Sequence, residues 1–177
     1  MVSLCSIFFT KRINIDVKKN DGDYFSTEKT DHFIFENQAV KLSENHWYLI
    51  KLKLSMKEGH KAISTFSLDY GDGFNDEASF SFPIVSGMDE SSIFFTKQSQ
   101  QIKFVPLDSE GHFKVDTLQF IPINSFFAEK YMMNALLHQQ KGLTAKDLKA
   151  KVSATATASN ISFIHGLLLE YQKGSRS

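Results

Sequence analysis

From Trp47 to Leu54 the chain runs Trp-Tyr-Leu-Ile-Lys-Leu-Lys-Leu, and its second half alternates apolar and polar positions with period 2. That spacing predicts a half-buried strand, because successive side chains on a strand point to opposite faces. Residues 62 to 70 set Ile63, Thr65 and Ser67 against Ser64, Phe66, Leu68 and Tyr70, a second strand with one apolar face. After an Asp-Tyr-Gly-Asp-Gly-Phe break, residues 79 to 84 resume the alternation, and Pro83 assigns them to a strand end or a sheet edge. Further strands are expected at 92–96, 101–105 and 112–123. Six or so short strands, bounded by Gly, Asp, Ser or Pro with no helical period between them, fill residues 31 to 123. They predict a mainly β fold, an antiparallel, jelly-roll-like β-sandwich.

Trp47 poses a conflict within this pattern. Alternation groups it with Leu49 and Lys51, opposite the more apolar set Tyr48, Ile50, Leu52 and Leu54, whereas its size favours burial. Burial is the expectation here, through a register shift of one residue at Asn45-His46.

The pattern changes at Asn124. Asn124 or Ser125 can cap a helix carrying Phe126, Phe127, Met132, Met133, Leu136 and Leu137, with Gly142 suited to end it. Thr144, with Asp147 three residues on, predicts a second, short helix opened by an acidic variant of the capping box. Residues 153 to 159 are all Ser, Ala or Thr and read as a linker, followed by a short apolar segment at 161–169. The final Gly174-Ser175-Arg176-Ser177 resembles an appended cloning scar, so an excised fragment is expected. The expected organisation is a sandwich over 1–123, a helical appendage over 124–152, and a linker, apolar segment and scar over 153–177.

Composition narrows the functional classes. A hydrophobic fraction of 42% with 23% charged residues rules out global disorder. Seventeen of the 23 aromatic residues are Phe, which fits β-rich packing. Twenty basic residues balance twenty acidic ones, and only two of the basic residues are Arg, so no nucleic-acid partner is expected. One cysteine, Cys5, has no internal disulfide partner and points to a reducing, cytoplasmic setting. No apolar stretch is long enough to predict a transmembrane segment. Six histidines without close pairing, no Gly-rich phosphate loop and no Gly-x-Ser-x-Gly elbow leave catalysis without a candidate. The chain is therefore expected not to be an enzyme by itself.

Two features carry candidate chemistry. Residues 62 to 96 hold six acids and no Lys or Arg, and within them Asp69, Asp72, Asn75 and Asp76 offer oxygen ligands of the kind calcium requires. The same residues also make ordinary Asp-Gly turns. Tyr70 and Phe74, with Asp72 between them, are candidates for a sugar-stacking platform, since the C–H face of a pyranose packs on an aromatic ring. Asp21-Gly22-Asp23 has the Asp-x-Asp spacing of a metal-nucleotide-sugar site, but no βαβ pattern precedes it, and a hairpin turn is expected instead.

The order of motifs over residues 46 to 123 resembles the accessory β-sandwich module of large bacterial polysaccharide-synthesis glycosyltransferases, of the rhamnan, O-antigen or capsule type. The resemblance rests on the Trp47-Tyr48 strand, on Asp69, Gly71, Gly73 and Phe74, and on Phe104, Pro106, Asp108, Gly111 and Phe113. The chain departs from that pattern at Lys103, where Arg is expected, and at Val105, where Asp is expected. The resemblance implies a noncatalytic module that binds polysaccharide or organises neighbouring glycosyltransferase domains. It also implies a cytoplasmic setting, peripheral to the inner membrane through the parent protein. The alternative from another class is a structural protein–protein interaction module that never touches sugar.

Overall fold

The computed structural model describes residues 5–6, 18–20, 24–27, 33–36, 42–97 and 101–174, with backbone only before Leu42. They divide into two compact units that meet in sequence at Pro122/Ile123. In the first unit ten strands follow one another: β1 (Cys5–Ser6), β2 (Lys18–Asn20), β3 (Tyr24–Thr27), β4 (Phe33–Glu36), β5 (His46–Met56), β6 (Lys61–Asp69), β7 (Phe74–Val85), β8 (Glu90–Thr96), β9 (Gln101–Val105) and β10 (Gly111–Ile123). One sheet has the order β2-β3-β10-β5-β8, with β1 also paired to β10; the other has the order β4-β9-β6-β7. Strands β3 to β10 thus interleave as β3-β10-β5-β8 over β4-β9-β6-β7, the order of a jelly roll. The mainly β expectation holds, with antiparallel pairing throughout the two sheets.

The phenylalanine bias has a direct structural meaning. Phe66 stacks on Phe104 at 4.5 Å and on Phe80 at 5.6 Å within its own sheet, and meets Phe120 of the other sheet edge-on at 6.1 Å. Phe94 repeats the pattern, stacked on Phe80 across the sandwich and edge-on to Phe120. Offset-stacked and edge-to-face rings are the arrangements that a ring quadrupole favours, so one residue type fills the space between the sheets. Tyr48, Ile50, Leu52 and Leu54 of β5, with Leu42 ahead of that strand, complete this core.

Trp47 is buried, as expected, but the expected register shift is absent. Pairing of β5 with β8 is unbroken from His46↔Thr96 to Leu52↔Glu90, although Asn45 turns through a positive φ of 53° just before it. Alternation therefore holds, and Trp47 lies on the face opposite the central core. It is buried there with Leu49 and Ile93, and its ring meets Phe95 at 4.9 Å. This sheet is apolar on both faces along residues 47 to 50, a pattern that alternation alone cannot separate.

The second unit consists of α1 (Ser125–Gln139), α2 (Ala145–Ala158) and α3 (Phe163–Gly174). Asn124 caps α1 by accepting from the Phe127 amide at 2.8 Å, and Thr144 with Asp147 forms the capping box of α2. The expected linker at 153–159 is corrected, because α2 continues through Ala158. Small side chains bury little area each, yet Ala is the best helix former and lets a second helix approach closely. That approach occurs at Gly166 of α3, where a built Cβ would lie 2.8 Å from Ala156 Cβ and 3.1 Å from Ala156 Cα. Helix propensity alone would make Gly166→Ala stabilising by up to about 1 kcal/mol. The clash is with backbone that cannot yield, so a net loss of about 1 to 3 kcal/mol is expected in urea unfolding followed by helical signal. A variant as stable as the parent would refute this close packing. Among the described residues no single helix is long and apolar enough to cross a membrane.

Candidate functional site

The hairpin joining β6 to β7 is built by the residues that suggested a cation site. Asp69 Oδ1 accepts from the amides of Gly71 at 2.7 Å and Gly73 at 2.9 Å, and both glycines sit at positive φ, 113° and 85°. Only glycine adopts such angles without strain, so the Asp-x-Gly-x-Gly spacing is the local code of this turn. Asn75 Oδ1 accepts from the Ala78 amide at 3.0 Å, and the Ser79 hydroxyl bridges Ser67 Oγ and the Asn75 carbonyl, each at 2.7 Å. These bonds close the irregular stretch where β7 passes from Phe74, opposite Asp69, to Ser79, opposite Ser67.

The structure does not gather Asp69, Asp72 and Asp76 around one point. Asp69 and Asn75 each spend a side-chain oxygen on the hairpin's own amides, Asp72 is exposed, and Asp76 is already engaged in another interaction. Among the described residues no three His, Cys, Asp or Glu side chains come together as a metal centre would need. Equal unfolding midpoints in millimolar calcium and in chelator are expected; a midpoint raised by calcium would restore the cation site, since any ligand of the folded state stabilises it.

The second block of family-like residues builds the opposite turn. Ser64 donates to the Pro106 carbonyl at 2.6 Å, and Asp108 Oδ1 accepts from the Ile63 amide at 3.0 Å. Phe104 and Phe113 are core, and a side chain at Gly111 would press on Leu107 Cδ1 at 3.3 Å. Beside them Glu58 accepts from the His112 amide at 2.7 Å and pairs with its Nδ1 at 2.6 Å, which holds the Glu58 carboxyl below the usual carboxylate range. The Asp21-Gly22-Asp23 stretch lies outside the described residues; β2 and β3, which flank it, pair antiparallel.

Tyr70 and Phe74 are held by different neighbours. Tyr70 packs against the central core, its hydroxyl 3.5 Å from the Phe95 carbonyl of β8 and Lys97 Nζ 5.8 Å from its ring centre. Burial pushes its phenol up, as for a residue that closes the end of the sandwich. Phe74 is half-buried, and its ring lies under Lys103 Nζ at 5.1 Å, across the short side chain of Ser67, which pairs with Lys103.

The neighbourhood of Phe74 is the outer face of the β4-β9-β6-β7 sheet, which the site residues named from the sequence did not include. Positions 65 and 67 of β6 face away from Phe66 and Leu68, and they align with Ser81 and Ser79 of β7. Thr65 Oγ1 and Ser81 Oγ lie 2.7 Å apart, and Ser67 and Ser79 form a second rung at the same distance. On β9, Val105 borders the Thr65 rung and Lys103 the Ser67 rung, with Gln101 opposite Asp69 beyond them. The outcome is a polar strip of short hydroxyl side chains ending at one aromatic ring. Elsewhere, Ser162 Oγ lies 2.8 Å from His165 Nδ1, but the three-residue spacing at the start of α3 is that of a helix-start contact.

Neither a family model nor a curated protein matches the sequence. The resemblance to the glycosyltransferase accessory module is therefore carried by its motifs alone. Among solved structures, the chain is similar to the CBM22-1 xylan-binding domain of Paenibacillus barcinonensis Xyn10C, with 10% identity and a TM-score of 0.48, covering 70% of this chain and 96% of that one. It is also similar to the CBM22-1–GH10 modules of Clostridium thermocellum xylanase 10B, at 12% identity and a TM-score of 0.46, covering 64% of this chain and only 26% of that one. A third similarity is to the accessory secretory proteins 1, 2 and 3 of Streptococcus pneumoniae, at 12% identity and a TM-score of 0.40, covering 70% of this chain and 99% of that one.

Proposed function

We propose that the β-unit is a noncatalytic, glycan-associated accessory domain of a polysaccharide-synthesis glycosyltransferase, and that it takes carbohydrate on the outer sheet face around Phe74. The parent enzyme and the cytoplasmic, membrane-peripheral setting rest on the motif resemblance. The binding surface rests on one observation: a part-buried aromatic ring at the end of two ordered hydroxyl rungs, with Lys103 alongside. A pyranose offers an apolar C–H face and a rim of hydroxyls. This strip offers a ring for the face and donors and acceptors for the rim, set at the two-residue repeat of a strand. Removing the ring in Phe74→Ala is expected to change stability by less than about 1 kcal/mol, because the residue is outside the central core. Retention of the protein by immobilised glycans should fall sharply. A wild-type chain retained by no glycan on a broad array would sink the proposal.

A specific feature of the helical unit favours the rival reading, a protein–protein interaction module. Phe126 is 66% exposed and Phe127 46% exposed at the start of α1, with Lys130 Nζ 4.6 Å above the Phe126 ring. Serine at both positions separates the two readings. It should leave glycan retention unchanged if sugar is bound at Phe74, and abolish partner capture if α1 is the working surface.

A further inference from the structure

Resting on the glycan reading above, we infer that the Phe74 surface selects acidic polysaccharide, through Lys103. The ring face on which a neutral sugar would stack is already covered by an ammonium group, 5.1 Å from the ring centre. Among the described residues Lys103 makes no ion pair, although the hairpin beside it carries Asp69, Asp72 and Asp76. Two acidic positions lie diagonal to Lys103 in register, Glu36 of β4 and Asp69 of β6, and Asp69 is turned onto the amides of Gly71 and Gly73. Lys103 is thus a cation with no ion pair among the described residues, held over the part-buried ring of Phe74 and beside Ser67 and Ser79 in register.

The consequence for a ligand follows from charge. A neutral pyranose must displace the ammonium from the ring and receives no ionic contact in return. A uronic-acid residue lets the ammonium swing onto its carboxylate, which forms a charge-assisted hydrogen bond while the ring becomes free to stack. Lysine suits this role because its ammonium is a point charge on a flexible stem. The hydroxyl rungs supply the neutral part of the recognition, and Lys103 sets the class of sugar.

The test uses the full chain in calorimetric titration against polygalacturonate, alginate and hyaluronan. Fully methyl-esterified polygalacturonate and dextran serve as uncharged polymers. Binding of at least one acidic polymer is expected, weaker in high salt and lost on esterification. Lys103→Gln should weaken it about tenfold, the scale of one charge-assisted contact. Lys51→Gln, an exposed lysine on the other sheet, should leave it unchanged. Uncharged polymers bound as well as acidic ones, with Lys103→Gln silent, would overturn the acidic class and leave the glycan reading standing. No polymer bound at all would overturn both. Coincident melting curves of the two lysine variants show that a loss of binding is not a loss of folding.

Discussion

Trp47→Ala is expected to destabilise the sandwich by about 3 to 5 kcal/mol, the usual range for truncating a buried large aromatic. Trp47 is only 7% exposed, and on its face of the sheet Leu49 at 8% and Ile93 at 0% would be left around a cavity. Its 4.9 Å contact with Phe95 would also vanish, and such pairs contribute about 0.5 to 1.5 kcal/mol beyond area burial. A sugar-stacking tryptophan would behave differently, with stability changed by less than about 1 kcal/mol while glycan affinity fell. Denaturant unfolding of the one variant decides between them, and an unshifted midpoint would return Trp47 to the surface. The measurement also probes the second apolar face of this sheet, since Trp47 lies outside the cluster between the two sheets.

The strands that alternation marked, from Trp47 to Ile123, are β5 to β10, and they were legible because each is five or more residues long with one face in the phenylalanine core. The strands β1 to β4 have two to four residues each, too few for a period of 2 to stand out. The Ser/Ala/Thr stretch at 153–158 misled for a related reason. Hydrophobic periodicity weighs side-chain size, whereas α2 works through closeness, with Ala156 against Gly166 and the Thr155 hydroxyl 3.0 Å from Glu170 Oε1.

The candidate surface was legible in pieces. The hydroxyls at 65, 67, 79 and 81 stood out in sequence as the polar side of two alternating runs. Their pairing into rungs depends on a register that the Asp69–Ser79 irregularity sets, and no local pattern announces it. Lys103 was noticed only as a departure from a motif. Its position over Phe74 requires β9 and β7 to flank β6, a topological fact about strands far apart in the chain. The motif residues themselves, Asp69, Gly71, Gly73, Pro106, Asp108 and Gly111, build turns. A motif shared for folding reasons identifies a fold more directly than a function.

Glu170 is expected to tie the stability of the helical unit to pH. Its side chain is 6% exposed and holds three partners: Lys151 Nζ at 2.9 Å, Lys173 Nζ at 3.0 Å and the Thr155 hydroxyl at 3.0 Å. Desolvation pushes its carboxyl upward, but the hydrogen bonds from Lys151, Lys173 and Thr155 together outweigh that and hold it down at about 2, against an ordinary 4.5. A carboxyl depressed on folding contributes stability that is fully present above its unfolded value and is lost as pH falls toward its folded one. The window therefore runs from about pH 5 down to about pH 2. At about 1.4 kcal/mol per unit of difference, the loss across it is on the order of 3 kcal/mol. Glu170→Gln removes the titration, and because Lys151 and Lys173 are 47% and 67% exposed, both ammonium groups remain hydrated in the variant. Helical signal followed through acid unfolding should show the parent converging on the variant as pH drops, with the gap between them widest near neutrality. Curves that stay parallel from pH 6 to pH 2 would mean that the clamp linking α2 to α3 contributes nothing, and that the close contact at Gly166 holds the helices together without it.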